Sequence, residues 1–251
     1  MALKGKAALI SGSTSGIGLG IAKKLAGQGC DVALNGFGDQ AEIEKLRKSI
    51  EKEFGIKAFY VNRDLSKADE VAEYVKEAES KLGKIDILVN NAGIQHKDLV
   101  ENFPNEKWQA VINLNLSAAF YAIKTAMPGM KKRGFGRLIN IASAHGLVAS
   151  IEKAAYVAAK HGIVGLTKVV GLETAKTNIT CNAICPGWVL TPLVQKQIDD
   201  WAARDKISKE EAGKLLLGEK QPSLKFVSPE EIGETVVYLC SESARSITGT
   251  T

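Results

Sequence analysis

The sequence predicts an α/β fold: a doubly wound parallel sheet with helices on both faces and a small helical lid. Three observations carry that reading. Apolar runs of four to six residues alternate with longer amphipathic stretches along the chain, and such alternation builds parallel βαβ units. The runs are almost continuously apolar, as strands buried on both faces are. A glycine-rich turn joins the first run to the first helical stretch.

The elements follow in order. Ala7–Ile10 reads as a buried strand. A helix follows Gly16, with Ile17, Ile21 and Leu25 at a spacing of four on its apolar face. Asp31–Leu34 is the second strand, 40–53 a charged helix, Ala58–Val61 the third strand and 67–82 an amphipathic helix. Ile85–Val89 is the fourth strand, and roughly 105–132 reads as one long helix. Leu138–Ile141, a helix over 153–175 and Ile179–Ile184 come next, then helical patterns at about 191–217 and 229–241. Each crossover is expected to be right-handed. Without a linker, repeat or low-complexity run, residues 1–251 read as one domain. The stretch 187–227 is a long polar insertion, and excursions of that kind are often lids. After Ser246-Ile247-Thr248-Gly249 the pattern calls for another strand, which the sequence to Thr251 does not supply.

Composition narrows the classes. Hydrophobic residues at 45% and charged residues at 24% exclude a disordered chain. The length suffices for a core without disulfides or structural metal. A net charge of +5, spread along the sequence, argues little for nucleic acid. The cysteines at 30, 181, 185 and 240 form no C-x-x-C pair and fit a reducing compartment. Met1-Ala2-Leu3-Lys4-Gly5-Lys6 has no signal-peptide layout, and no apolar stretch reaches the ~18 residues of a membrane span. The expectation is a soluble cytoplasmic protein with a small-molecule partner, no membrane or nucleic-acid partner, and no catalytic metal, since no suitable ligand spacing occurs.

The first βα turn reads Gly12-Ser13-Thr14-Ser15-Gly16-Ile17-Gly18. Glycines there let backbone N–H groups approach a pyrophosphate at the positive end of a helix. The spacing G-x-x-x-G-x-G departs from the common G-x-G-x-x-G, and glycines alone are a weak signal, with a structural turn as the alternative. The second strand ends at Asn35-Gly36-Phe37-Gly38, without the acidic residue that binds the NAD ribose or the Arg that accepts an NADP phosphate. No basic residue lies in the turn, so a 2′-phosphate lacks an obvious partner and NAD is favoured. Phe37 is placed either near adenine or in ordinary packing. Asp64-Leu65 and Asn91-Ala92-Gly93 follow the third and fourth strands, at the ends where open sheets bind ligands.

Ser143 follows the fifth strand, and Tyr156 and Lys160 stand one helical turn apart. A free Tyr, with a pKa of ~10, is a poor base near neutrality. An adjacent ammonium favours its phenolate, and a Ser hydroxyl can bind the same substrate oxygen. Those parts suit proton transfer at an alcohol coupled to hydride transfer.

Glycine-rich turn, Asn90-Asn91-Ala92-Gly93, Ser143, Tyr156-x-x-x-Lys160 and Pro186-Gly187 occur together and in order. The combination resembles the short-chain dehydrogenase/reductase family over essentially the whole chain. The resemblance implies a Rossmann fold with Tyr156 as acid/base. Lys160 would bind the nicotinamide ribose and depress the Tyr pKa. Ser143 would polarise the substrate oxygen, and Asn115 would hold a relay water. Gly12, Thr14, Ser15, Gly16, Ile17, Gly18, Phe37, Asp64, Leu65, Asn91, Ala92, Gly93, Pro186, Gly187, Trp188, Val189 and Thr191 would line the cofactor site, beside Tyr156 and Lys160. Ser11 stands where many members have Thr.

Further stretches, among them Gly93-Ile94-Gln95-His96, Ala142–Ser150 and Cys185–Val189, resemble the bacterial members of the family that interconvert (R)-3-hydroxybutyrate and acetoacetate. That resemblance implies a hydroxy acid held by its carboxylate at Gln95, His145, Lys153 and Gln197, with Trp188 closing over it. Charge-assisted hydrogen bonds of this kind recognise carboxylates well. Taken singly, Lys153 reads as a solvated helix-start lysine, His145 as a loop residue and Gln197 as an exposed one. His96 and His161 read as structural. The family also implies a homotetramer, with the helices around 105–132 and 153–175 as one interface. Two other readings stay open: a reductase of acyl-thioesters or sugars, and a dinucleotide-binding regulator without turnover.

Overall fold

The computed structural model describes residues 1–218 and 221–251; Glu219 and Lys220, within the expected lid, lie outside the described residues. The expected strands are all present, as β1 (Ala7–Ile10), β2 (Asp31–Leu34), β3 (Ala58–Tyr60), β4 (Ile87–Asn90), β5 (Gly136–Ile141) and β6 (Ile179–Ile184). They form one parallel sheet in the order β3-β2-β1-β4-β5-β6. The chain therefore reverses its direction of travel between β1 and β4, and a crevice opens at their carboxyl ends. Ile10 pairs with both Leu34 and Val89, which sets those ends level.

Side chains alternate across the sheet, so each strand feeds two cores. Ala8, Ile10, Ile87 and Val89 pack under α1 (Gly16–Gly27) and α9 (Pro229–Cys240), against Ile21, Leu25 and Val236. Leu9, Leu88 and Leu138 pack on the other face under α3 (Ala68–Leu82) and α5 (Ala118–Arg133), against Val75, Ala122 and Met130. This two-faced burial explains why the strands read as unbroken apolar runs. Helix α2 (Gln40–Phe54) covers the β3 end of the sheet.

Two details differ from the sequence reading. The expected long helix is three pieces: α4 (Asn105–Ile112), a π turn over Asn113–Ser117, and α5. The side chain of Asn115 bonds outward to Ile94 within that turn, and π turns are favoured where function requires a local displacement. The second detail concerns the last residues. They already lie along β6, with the Gly249 N–H donating to the Cys181 carbonyl at 2.7 Å and the Ala183 N–H donating to Thr250 at 2.9 Å.

The insertion folds into α7 (Pro192–Asp205) and α8 (Lys209–Leu217), with α6 (Ala154–Glu173) preceding it in the chain. Both helices start on a side-chain cap, Thr191 and Ser208, and α7 has proline at its first position. Val194, Ile198, Ala202 and Ala212 form a separate small core with Trp188, Trp201 and Phe226. The lid thus packs on itself instead of extending the main core.

Helices α1 and α9 cross backbone to backbone. A Cβ on Gly20 would sit 2.7 Å from the backbone of Pro229, and one on Gly233 would sit 2.9 Å from the Gly20 carbonyl oxygen. Gly20→Ala, which touches no site residue, is expected to lower Tm by about 3–10 °C in thermal unfolding, the overpacking cost of a tight crossing.

Candidate active site

The glycine-rich turn shows why it needs glycines. Gly12 takes a φ of +60°. A Cβ on Gly18 would lie 2.2 Å from the Gly12 carbonyl oxygen and 2.6 Å from the Asn91 side chain. Ser15 caps α1 without a side-chain hydrogen bond. The first N–H groups of the helix therefore face the crevice at the positive end of its dipole, an anion site by construction.

Amides hold this turn in place. The Asn91 side chain donates to the Ser11 and Gly12 carbonyls at 2.9 and 3.0 Å, and Ser11 Oγ accepts from the Asn91 and Ala92 N–H groups. Asn35 donates to the carbonyls of Val61 and Arg63 while accepting weakly from the Gly12 N–H. Its amide is committed to the fold and is not a ribose ligand. Gly12, Thr14, Ser15, Phe37, Leu65, Asn91, Ala92 and Gly93 line one end of the crevice, with Phe37 largely exposed. The Asp64 carboxylate accepts from the Ser66 N–H and hydroxyl, which hold its pKa below the ordinary value, and its neighbour Leu65 lines the crevice. Arg63 lines this end too, and sequence reading missed it. Its guanidinium lies 3.2 Å from Glu70 and 3.0 Å from Glu77.

The other end is a cleft of about 510 Å³ lined by Ile17, Asn91, Gly93, Gln95, Tyr156, Lys160, Pro186–Val189 and Thr191. Thr191 caps α7 and also approaches the turn: a Cβ on Gly16 would lie 3.4 Å from its methyl group. The start of the lid thus packs directly on the anion site.

Lys160 is 4% exposed, and its ammonium donates to the Ile141 carbonyl at 2.7 Å. Burial lowers its pKa to about 8. Tyr156, one turn earlier on α6, receives a hydrogen bond from Ser143, yet burial dominates and holds its pKa above the ordinary value. This corrects the expected depression by Lys160. The ammonium stands 5.6 Å from the Tyr156 ring centroid and is bonded elsewhere, so the desolvation cost wins. Ser143, 9% exposed, caps a short turn by accepting from the His145 N–H at 3.1 Å. Asn115 is 3% exposed; its side chain donates to and accepts from the backbone of Ile94, both at 2.9 Å.

A second cleft of about 370 Å³ opens beside Tyr156 and shares Gln95, Trp188, Leu193 and Val194 with the first. His145, Lys153 and Gln197 line it. All four carboxylate candidates thus converge beside Tyr156, on which the His145 ring stands edge-on at 6.1 Å. Lys153 is 8% exposed, which removes the reading of it as a solvated helix-start lysine. Its backbone bridges to Asp98, and the Asp98 N–H donates to Glu152, pinning the head of α6 to the loop after β4. Lys97, which sequence reading missed, also lines this cleft, as do Val148 and Leu193, exposed apolar residues that sequence reading passed over. The only signal of the last two was apolar side chains in otherwise polar stretches. His161 is exposed and bonds to the Val157 carbonyl, and His96 packs edge-on against Phe103, both away from the clefts.

A family model described as short chain dehydrogenase matches residues 6–202. The chain belongs to the short-chain dehydrogenase family. Two relatives within it carry the name D-beta-hydroxybutyrate dehydrogenase. The one from Cupriavidus necator is 55% identical, with 98% of this chain and 95% of that protein covered. The one from Rhizobium meliloti is 48% identical, at 98% and 95% coverage. Among solved structures, L-sorbose reductase from Gluconobacter frateurii, complexed with NADPH and L-sorbose, superposes with a TM-score of 0.94 at 31% identity, covering 99% of this chain and 94% of that one. Membership explains why the glycine turn, Ser143, Tyr156 and Lys160 share one crevice. Among the described residues, no cluster of three or more His, Cys, Asp or Glu is placed to hold a metal ion, and no helix is long and apolar enough to cross a membrane.

The buried ammonium sets a pH dependence. Unfolded, Lys160 keeps its proton up to the ordinary 10.5; folded, it releases it at about 8. Between these values the unfolded chain binds more protons, so this group's contribution to stability rises with pH. The stability difference between wild type and Lys160→Met, measured by urea unfolding, is expected to shift in favour of wild type from pH 8 to 10.5 and to be flat below 8.

Proposed function

We propose that the protein is an NAD-dependent dehydrogenase that interconverts (R)-3-hydroxybutyrate and acetoacetate. The observation that carries the proposal is the buried Lys153 beside Tyr156, in a pocket that also presents His145, Gln95 and Gln197. A buried cation with a second lysine, Lys97, on the same cleft, apolar walls and two amides suits a short hydroxy acid. The names of the two hydroxybutyrate relatives support the same substrate.

The crevice fits a dinucleotide: the space that a Cβ on Gly18 would fill, and the uncapped N-terminus of α1, match a pyrophosphate. Gly12 to Gly18 would hold the phosphates, Phe37 and Leu65 the adenosine end, and Asn91 to Gly93, Pro186 to Val189, Thr191 and Lys160 the nicotinamide end. Bound there, NAD supplies the hydride acceptor. NAD is preferred to NADP because Arg63, the basic residue at the adenosine end, is already paired with Glu70 and Glu77.

In the oxidation direction the Tyr156 phenolate takes the substrate hydroxyl proton as hydride leaves the same carbon. With substrate bound, the single Ser143 hydroxyl hydrogen turns from Tyr156 to the substrate oxygen and stabilises the charge that develops there. Protonated below about pH 8, the Lys160 ammonium 5.6 Å from the Tyr156 ring would offset part of the burial cost that holds this phenol above its ordinary pKa. Asn115 braces the loop carrying Gln95 through Ile94 and holds the relay water. Helices α7 and α8 close over the substrate, bringing Gln197 and Trp188 against it and excluding water.

The assembly proposed is a homotetramer. An apolar groove between α5 and α6, lined by Phe120, Met127, Leu166 and Val169, lies beside the exposed Leu172 and suits a second copy of the same face. Four free cysteines fit the cytoplasm.

With NAD or NADP and each enantiomer of 3-hydroxybutyrate, NADH formation is expected only with NAD and the (R) form. Tyr156→Phe should abolish it, and Lys153→Ala should raise KM about 30-fold or more. Turnover that is indifferent to Lys153 would contradict the substrate assignment.

A further inference from the structure

Behind the catalytic residues lies a second polar space. A small cavity between α3, the π turn and the sheet leaves the centre of a water molecule about 10 Å³ in which to move, the lower end of what one water requires. Its polar lining comes from Ser11, Asn90, Asn115, Lys160 and Tyr74. Four of these have partners: Ser11 with Asn91 and Ala92, Asn90 with Asn140, Asn115 with Ile94, and Lys160 with Ile141.

Tyr74 does not. It is 1% exposed, and its hydroxyl has no hydrogen-bond partner among the described residues. The rest of the buried face of α3 is Val71, Val75 and Ala78, which fill their places without a polar atom. A buried hydroxyl without a partner costs ~1–3 kcal/mol, and native folds supply such groups with protein or water. Burial pushes the Tyr74 pKa well up, so the group stays a neutral donor and acceptor. Lys160, which lines the same cavity, uses one ammonium hydrogen on Ile141 and has two more to give.

We propose that Tyr74 anchors a buried water that also accepts from Lys160, making Tyr74 a positioning residue for proton transfer. The water takes one hydrogen bond from the Tyr74 hydroxyl and one from the ammonium. It returns its own hydrogens to the amide oxygens of Asn90 or Asn115. Solvated in this way, the buried ammonium keeps its proton to higher pH than an otherwise dry pocket allows, and the charge facing Tyr156 persists near neutrality. The inference rests on Lys160 serving Tyr156 as proposed above, but its test needs neither substrate nor turnover.

The test is Tyr74→Phe, which removes one oxygen and keeps the ring. Lys160 is titrated by NMR in protein carrying ¹³C-labelled lysine, its resonance assigned by its disappearance in Lys160→Met. The variant is expected to lower the Lys160 pKa by about 0.5 unit or more and to lower Tm by about 2–4 °C. An unmoved Lys160 pKa overturns the positioning role, whatever happens to Tm. A raised Tm overturns the water itself, because deleting an orphan hydroxyl from a dry cavity relieves a penalty. Absence of turnover on 3-hydroxybutyrate would remove the substrate assignment and leave both readouts intact.

Discussion

One hydrogen bond organises the catalytic end of this molecule: the buried ammonium of Lys160 on the carbonyl of Ile141. It ties the middle of α6 to the last residue of β5. Ser143 lies two residues beyond that carbonyl, and Tyr156 lies one helical turn before that lysine. Fixing the Lys160–Ile141 contact therefore fixes the approach of the two hydroxyls. Taking a lysine out of water disfavours its charge, which is why its pKa is low. The fold tolerates the cost because parallel strands end here in unpaired carbonyls, and one of them can accept. The same burial that lowers Lys160 raises Tyr156, so the site holds two proton carriers whose pKa values are pushed apart.

Side-chain amides do the equivalent work around the crevice. Asn91 joins the end of β4 to the glycine turn, Asn35 joins the ends of β2 and β3 to it, and Asn115 joins the π turn to the loop after β4. Each closes a gap that backbone pairing leaves open at the carboxyl edge of the sheet. An amide suits that task because it donates and accepts at once without bringing a charge into a site that must receive phosphates. The lid is built differently. Its core around Val194, Ile198 and Ala212 is its own, and it joins the body near its two ends, where Val189 and Val227 pack on the main core and Thr191 packs beside Gly16. An element with separate packing and a narrow attachment can move as a unit.

Most of the fold was legible because its signals are local. Apolar runs buried on two faces, and glycines that no other residue can replace, announce themselves one segment at a time. The four carboxylate candidates were legible through the resemblance, since nothing in single residues distinguishes Lys153 from a solvated lysine. What escaped depends on side-chain contacts that no residue's type or spacing announces. The π turn within the expected helix is set by Asn115 reaching Ile94, 21 residues away in sequence. The role of Arg63 depends on two glutamates of α3, and that of Asp64 on a serine next door. Tyr74 sits at an apolar helix position, and nothing about its spacing says that it lines a polar cavity with an unpartnered hydroxyl.

The account makes the second cleft a receptor for a small anion held beside Tyr156. It is tested most directly by comparing kcat/KM for (R)-3-hydroxybutyrate with that for its methyl ester in the wild-type protein, at one pH and saturating NAD. The two share the reacting carbon, and the ester lacks only the charge that Lys153 and His145 are placed to meet. The account predicts a preference for the acid of about 30-fold or more. Equal values for acid and ester would show that the pocket does not read a carboxylate, and would contradict it.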